Sequence, residues 1–287
     1  MNEDQRRVAQ QEVWAADLNT LRQHLPAMQT SQFELSHSAG QLTINQGGAT
    51  RVYAWYGLNA LAELHAAAMQ ALVNEQDFSA QVLAKDAMQL AVNVMYVLGD
   101  AEGDRLAGAL RHLLDAQSAR FTEWQIAVPE HKEASAARAA KLATDCRQSP
   151  WYADAPAWPS LGVRADMVGV GLWVHPIFAR AANAEQTMAQ ELMNFLECER
   201  GSLPARQAAH AYRTARCASD ALYVGTVALH LFALALHRMA SVLQDKVAMV
   251  VAESAIERMG VVIAEHHRLA ESHRDDNKIY IGIPINR

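Results

Sequence analysis

The sequence has little of what most catalytic and cofactor-binding motifs require. Its three cysteines, Cys146, Cys198 and Cys217, stand far apart, without the paired spacing of a zinc site or a disulfide framework, which indicates free thiols in a reducing compartment. The chain contains no P-loop, no glycine run of the dinucleotide-binding type and no nucleophile-elbow serine. The sequence therefore predicts no cofactor.

Positive charge is also scarce, because 25 Lys and Arg residues face 31 Asp and Glu residues, for a formal net charge of -6. This balance disfavours nucleic-acid binding over the whole surface, although a local groove could still be basic. The N-terminus lacks the apolar core of a signal peptide. The apolar run from Ala221 to Leu236 contains His230 and is shorter than the roughly 20 residues that cross a bilayer. We expect a cytoplasmic protein without a membrane partner.

Apolar residues at helical spacing recur along most of the chain, and they make up much of its 51% hydrophobic content. No linker or composition shift divides the chain. The sequence therefore predicts a mainly α fold, in which residues 1–287 form a multi-helix single domain with a small β-hairpin and a C-terminal strand.

The predicted hairpin covers residues 31–46. Phe33 and Leu35 alternate with polar residues before a glycine-containing turn, and Leu42 and Ile44 alternate after it.

The predicted strand covers residues 278–286, where every second residue from Ile279 to Ile285 is isoleucine. We expect this strand to pair with the hairpin, since two strands alone are marginal in water. Pairing with the hairpin of a neighbouring subunit would give a homodimer.

The apolar run from Ala221 to Leu236 predicts a central helix, and a stripe of polar residues runs along it. Arg216, Tyr223 and His230 recur every seven residues, and Asp220 lies one turn after Arg216. Residues seven apart on a helix lie nearly one above another. Buried polar groups require partners, because each unpaired group costs roughly 1–3 kcal/mol. The stripe therefore predicts either a buried hydrogen-bond network or a ligand site.

A second polar stripe supports a ligand site, since its members fall three to four residues apart on an earlier helix. If the two stripes face each other across a cleft, they form one binding site. That predicted site consists of Lys85, Gln89, Asn93, Tyr96, Tyr212, Arg216, Asp220, Tyr223 and His230. The alternative is again a hydrogen-bond network, or a solvated face for the earlier helix.

Two segments carry a family resemblance: AKDAMQLAVNVMYVLGDAEGDRLAGALRHLL, which begins at Ala84, and AYRTARCASDALYV, which begins at Ala211. Together they resemble a bacterial all-helical group associated with the HEPN superfamily. Tyr212 and Tyr96 agree with the motifs of that group. Four positions depart from them, because Lys85 replaces an arginine, Gln89 a glutamate, Arg216 a serine and Asp220 a histidine.

The resemblance implies a candidate for catalysis. Active HEPN ribonucleases cleave RNA without metal by means of an arginine and a histidine a few residues apart. Arg268 and His273 have such a spacing, and they are the catalytic candidates here. No metal site is predicted, because Glu265, His266 and His267 lack the Glu-x-x-His spacing that places two ligands on one helical face.

These observations leave two hypotheses about function. In the first, the chain is a HEPN-like effector or regulator in a toxin or defence setting, which acts on or senses RNA or a nucleotide in a local cleft. In the second, the chain is a non-catalytic helical scaffold that binds a partner protein. A basic cleft around Lys85, Arg213 and Arg216 would favour the first hypothesis.

Overall fold

The computed structural model describes residues 17–44, 48–100, 102–127, 141, 144–199 and 202–272, and within them it contains helices and no strand. The mainly α class is thereby confirmed. Residues 17–22 are helical. The later helices are α1 Leu25–Gln41, α2 Ala49–Val73, α3 Asp77–Leu98, α4 Asp104–Ala127, α5 Pro150–Asp154, α6 Leu161–Met167, α7 Gly171–Arg180, α8 Ala184–Cys198, α9 Leu203–Leu243 and α10 Lys246–Ser272.

Helix α9 is the centre of the fold, and α1, α2, α3, α8 and α10 all pack against it. Every residue from 221 to 233 is buried. By length and composition α9 could cross a membrane, but 83% of its most apolar 18-residue window is buried inside the protein. Core helices have the same composition, so this feature is only weak support for a membrane span.

A tight turn reverses the chain between α9 and α10. Gln244 ends α9 in the left-handed region at φ 59°, and the amide of Asp245 bonds back to the Ala240 carbonyl. The Asp245 carboxylate then accepts hydrogen bonds from the amides of Val247 and Ala248, which caps α10. The two longest helices of the described chain therefore run antiparallel and in contact.

The predicted hairpin at residues 31–46 is wrong, because residues up to Gln41 belong to α1. Leu35 is fully buried, whereas Phe33 is 69% exposed, so the two side chains lie on different faces of a helix and not on one face of a strand. Arg258 of α10 fixes this helix by donating hydrogen bonds to the Ser31 hydroxyl and the Glu34 carboxylate. The C-terminal strand at 278–286 lies outside the described residues.

Helices α6 and α7 form a short antiparallel pair, and α6 packs on α3. Ser160 caps α6, since its hydroxyl accepts a hydrogen bond from the Val163 amide. Asn183 caps α8 through the Gln186 amide, and the Gln186 side chain accepts from the Ala182 amide in return. These caps fix the end of α7 and the start of α8 beside α3 and α9.

Candidate functional site

Buried and half-buried charged side chains surround a cavity of about 270 Å³ between α3, α7, α8 and α9. We call this cavity the Lys85 cleft. The charged and hydroxyl side chains that line it are Lys85, Arg180, Thr187, Glu191, Arg216 and Asp220. Four helices contribute to it, so the cleft exists only in the folded chain.

Lys85 lies at the base of the cleft and is 5% exposed. Its ammonium group donates a hydrogen bond to the Thr187 hydroxyl at 3.1 Å, and that hydroxyl donates to the Asn183 carbonyl at 2.8 Å. Burial lowers the pKa of the Lys85 ammonium, the Asp220 carboxylate opposes this shift, and Arg180 adds to it. The fold therefore holds a cation where its hydration is poor.

Asp220 is the carboxylate that the cations of the cleft share. Its oxygens lie 3.6 Å from Arg180 and 3.8 Å from Arg216, longer than the roughly 2.7–2.9 Å of a close charge-assisted hydrogen bond. The side chain is 38% exposed to solvent, yet the cleft walls surround the rest of it. Loss of water raises the pKa of the Asp220 carboxyl, and Arg180 and Arg216 lower it.

The second carboxylate of the cleft is occupied by other partners. Glu191 accepts a hydrogen bond from Arg213 at 3.2 Å and another from the Cys217 thiol at 3.0 Å. Burial raises the pKa of the Cys217 thiol, and the adjacent Glu191 raises it further. The carboxylate that lies beside Arg180 and Arg216 is therefore that of Asp220.

Tyr223 connects the cleft to α10. Its ring borders the cavity, and its hydroxyl lies 3.3 Å from Nε2 of His267. The ring also packs edge-on against His266. Burial raises the pKa of the Tyr223 phenol to about 12, so the hydroxyl stays protonated and can donate or accept a hydrogen bond at neutral pH.

The predicted stripe of α3 divides between two cavities. Lys85 borders the Lys85 cleft, whereas Gln89 and Asn93 border a second cavity of about 420 Å³. We call the second cavity the Arg164 pocket, and its principal side chains are Tyr53, Gln89, Asn93, His112, Trp158 and Arg164. Tyr96 packs edge-on against Trp158, and the guanidinium carbon of Arg105 lies over the Tyr96 ring, 4.5 Å from its centroid.

The stripe of α9 borders the Lys85 cleft only in part. Arg216, Asp220 and Tyr223 reach the Lys85 cleft. Tyr212 lies near Arg216 and Asp220, and burial raises the pKa of its phenol. His230 is further along, where it packs edge-on against Trp173 with ring centroids 4.8 Å apart.

Of the two catalytic candidates, the structure describes Arg268 but not His273. Arg268 is exposed, and its guanidinium makes two hydrogen bonds to Glu265 of the same helix, at 2.8 and 2.7 Å. His273 lies outside the described residues, so its relation to Arg268 stays a prediction. In the described part of the chain, no group of three or more His, Cys, Asp or Glu side chains is placed to hold a metal ion.

Among the charged and hydroxyl side chains of the cleft, Arg180, Thr187 and Glu191 were not predicted from the sequence. Arg180 is the last residue of α7, and Thr187 lies one turn after the Asn183 cap of α8. Their position beside Lys85 depends on how α7 and α8 pack, which local pattern does not specify.

Comparison with known proteins adds no relative. No protein family model matches the chain, and no curated protein and no solved structure matches it.

Proposed function

We propose that this chain binds a small anionic ligand in the Lys85 cleft and acts as a HEPN-like helical regulator that senses a nucleotide or the terminal phosphate of an RNA. One observation carries the proposal: Lys85, Arg180 and Arg216 converge from three helices around the carboxylate of Asp220. The toxin or defence setting follows from the resemblance alone.

The charges of the cleft favour an anion. Three cations line it with Asp220 and Glu191, and Arg213 together with Cys217 already engages Glu191. A guanidinium has five N–H donors, and Asp220 contacts Arg216 only at 3.8 Å. Phosphate or carboxylate oxygens between Arg180 and Arg216 would form shorter, charge-assisted hydrogen bonds than Asp220 does.

The buried ammonium of Lys85 supports the same proposal. A cation that is 5% exposed and hydrogen-bonded to one neutral hydroxyl lowers the stability of the empty protein. An anion in the cleft would compensate that charge, because electrostatic attraction is strong where water is excluded. Groups that reduce stability without a ligand are concentrated at binding sites.

The size of the cleft limits the ligand. Its volume of about 270 Å³ lies just below the usual 300–1,000 Å³ of small-molecule pockets. A mononucleotide or the end of a strand suits this volume, whereas a duplex does not. The side-chain amides of Gln81, Gln190 and Asn194 also line the cleft and could bond to the polar edge of a base.

Calorimetric titration with mononucleotides, and with RNA oligonucleotides that carry either a 5′-phosphate or a 5′-hydroxyl, tests this proposal. We expect Arg216→Gln to weaken binding about ten- to a hundredfold, since a hydrogen bond to a charged group contributes about 1.5–3 kcal/mol. Arg206→Gln is the matched control, because Arg206 lies on the same helix but is exposed beside Glu199.

Equal affinity of Arg216→Gln and the unaltered protein for every probe would contradict the proposal. Binding of a mononucleotide alone would identify a nucleotide sensor. A preference for the phosphorylated oligonucleotide over its hydroxyl counterpart would identify an RNA-end sensor. Native mass spectrometry of the purified protein, for a co-purifying nucleotide, gives an independent measurement.

The scaffold hypothesis has its own support in α8. The face of α8 opposite the cleft exposes five large apolar side chains: Met188, Leu192, Met193, Phe195 and Leu196. Contiguous exposed apolar groups mark association surfaces. We infer a second copy of the chain as the occupant to test, because the same surface on two copies can be self-complementary.

Light scattering after gel filtration measures this association. For a dimer we expect twice the chain mass of 31.5 kDa and dissociation on Leu192→Glu. The control is Gln190→Glu, which alters the cleft side of the same helix. A protein of 31.5 kDa at all concentrations would exclude self-association through α8.

A further inference from the structure

The Arg164 pocket holds a buried cation that lies outside the Lys85 cleft. Arg164 of α6 is 4% exposed, and its guanidinium carbon lies 4.4 Å from the centroid of the Trp158 ring. One amino group donates to the Pro159 carbonyl, whereas Nε has no hydrogen-bond partner in the described chain. The fold therefore buries a guanidinium with part of its donor capacity unused.

Among the residues that the structure describes, no carboxylate lines the pocket around Arg164. Burial lowers the pKa of the guanidinium, and the phenols of Tyr53 and Tyr96 raise it. Phenols are neutral at pH 7 and compensate the charge poorly. A buried cation that lacks an anionic partner destabilises a protein strongly unless a ligand supplies the missing charge.

Helix α3 contributes a second unpaired group to the pocket. Oδ1 of Asn93 is buried and accepts no hydrogen bond within the described residues. Gln89, one turn earlier on α3, borders the same cavity. The pocket therefore presents cationic donors from α6 and a carbonyl acceptor from α3. Its volume of about 420 Å³ is within the usual range for small ligands.

We propose that the Arg164 pocket is a second ligand site, which binds a small anion bearing a phosphate or carboxylate group and a hydroxyl or amine donor. The anionic group pairs with Arg164, whose planar guanidinium matches both kinds of oxyanion. The donor bonds to Oδ1 of Asn93. This site is independent of the Lys85 cleft, because the two cavities share no lining residue.

Tryptophan fluorescence tests the proposal, since an anion at Arg164 alters the charge beside the Trp158 ring. Glycerol 3-phosphate, malate and inorganic phosphate are titrated against the full chain, with chloride at matched ionic strength. We expect a saturable emission change that chloride does not give and that Trp158→Phe removes. If glycerol 3-phosphate binds more tightly than malate, the ligand carries a phosphate, and if malate binds more tightly, it carries a carboxylate.

Substitutions at Arg164 and Asn93 measure what each side chain contributes to ligand binding in the pocket. Arg164→Gln is expected to weaken binding at least tenfold, and Arg216→Gln to leave it unchanged, so failure here is distinct from failure in the Lys85 cleft. Asn93→Leu retains the buried cation, and we expect it to abolish the preference for glycerol 3-phosphate over inorganic phosphate.

Three results would overturn the proposal. They are no saturable response of the unaltered protein to any probe, unchanged affinity in Arg164→Gln, and an unchanged preference in Asn93→Leu. If Arg164→Gln does not fold, Trp158→Phe and Asn93→Leu still decide the outcome, because neither removes the guanidinium.

Discussion

The ammonium nitrogen of Lys85 lies 3.1 Å from the hydroxyl oxygen of Thr187, and this contact joins α3 to α8 across the Lys85 cleft. The hydroxyl keeps its own acceptor, the Asn183 carbonyl, whether or not the lysine is present. Stability and ligand binding therefore make opposite demands at this position. The lysine adds charge for a ligand, whereas the empty protein has to bury that charge.

Lys85→Met tests this opposition. Methionine fills similar space without a charge, so we expect the free energy of unfolding to stay within about 1 kcal/mol of the original or to increase. Anion binding in the cleft should fall at least tenfold. Urea denaturation and calorimetric titration measure the two effects. A loss of several kcal/mol in stability would show that the Thr187 contact is structural.

Asp220→Asn tests whether the shared carboxylate competes with the ligand. Because the side chain is 38% exposed, solvent screens its ion pairs, and we expect a change in stability below about 1 kcal/mol. Affinity for a phosphate probe should rise, since Arg180 and Arg216 lose their internal anion. Reduced affinity would indicate instead that Asp220 contacts a cationic part of the ligand.

Alanine substitutions of Leu35 and Phe33 test whether this segment is a helix, as in the structure, or a strand of the predicted hairpin. On α1, Leu35→Ala should cost about 2–5 kcal/mol, because Leu35 is fully buried. Phe33→Ala should change stability by less than about 0.5 kcal/mol, since Phe33 is 69% exposed. Chemical denaturation of both variants measures the difference. On one face of a strand, the two substitutions would have had similar costs.

The hairpin prediction failed because a short alternation of apolar residues fits more than one structure. Phe33 and Leu35 alternate over too few residues to separate a period of two from a period of 3.6. Long segments were predictable for the opposite reason. The apolar run from Ala221 to Leu236 was interpreted as part of a central helix, and it lies within α9, because a run of this length is longer than a strand.

The two polar stripes were found from the sequence, but the sequence did not show which of their residues border each cavity. Lys85 and Asn93 are eight residues apart, which is about 12 Å along a helix, longer than one small cavity. On α9, each seven-residue step also turns by about 20°, so Arg216 and His230 meet different neighbours. Spacing places residues on a face, and only the packing of α6, α7 and α8 determines what covers that face.

The last prediction concerns acid stability, because the described core buries histidines, among them His65 and His266. His65 is 1% exposed and stacks on Phe232, and burial lowers its pKa to about 3 from 6.5. His266 is buried as well, and its pKa is also lowered to about 3. Between these values the unfolded chain binds a proton that the native histidine does not bind. Each histidine therefore reduces stability by about 1.4 kcal/mol per pH unit as the pH falls from 6.5 towards 3.

His65→Leu should remove one such contribution, so the fall in unfolding free energy between pH 6 and pH 4 should be smaller by about 1.4 kcal/mol per pH unit. Burial raises the pKa of Asp77 to about 6, which acts in the opposite direction but equally in both proteins. The control is His37→Asn, at an exposed position of α1. Urea denaturation at several pH values measures the slopes. Equal slopes for His65→Leu and the unaltered protein would mean that His65 takes up a proton in the native state, which its stacking against Phe232 in the core opposes.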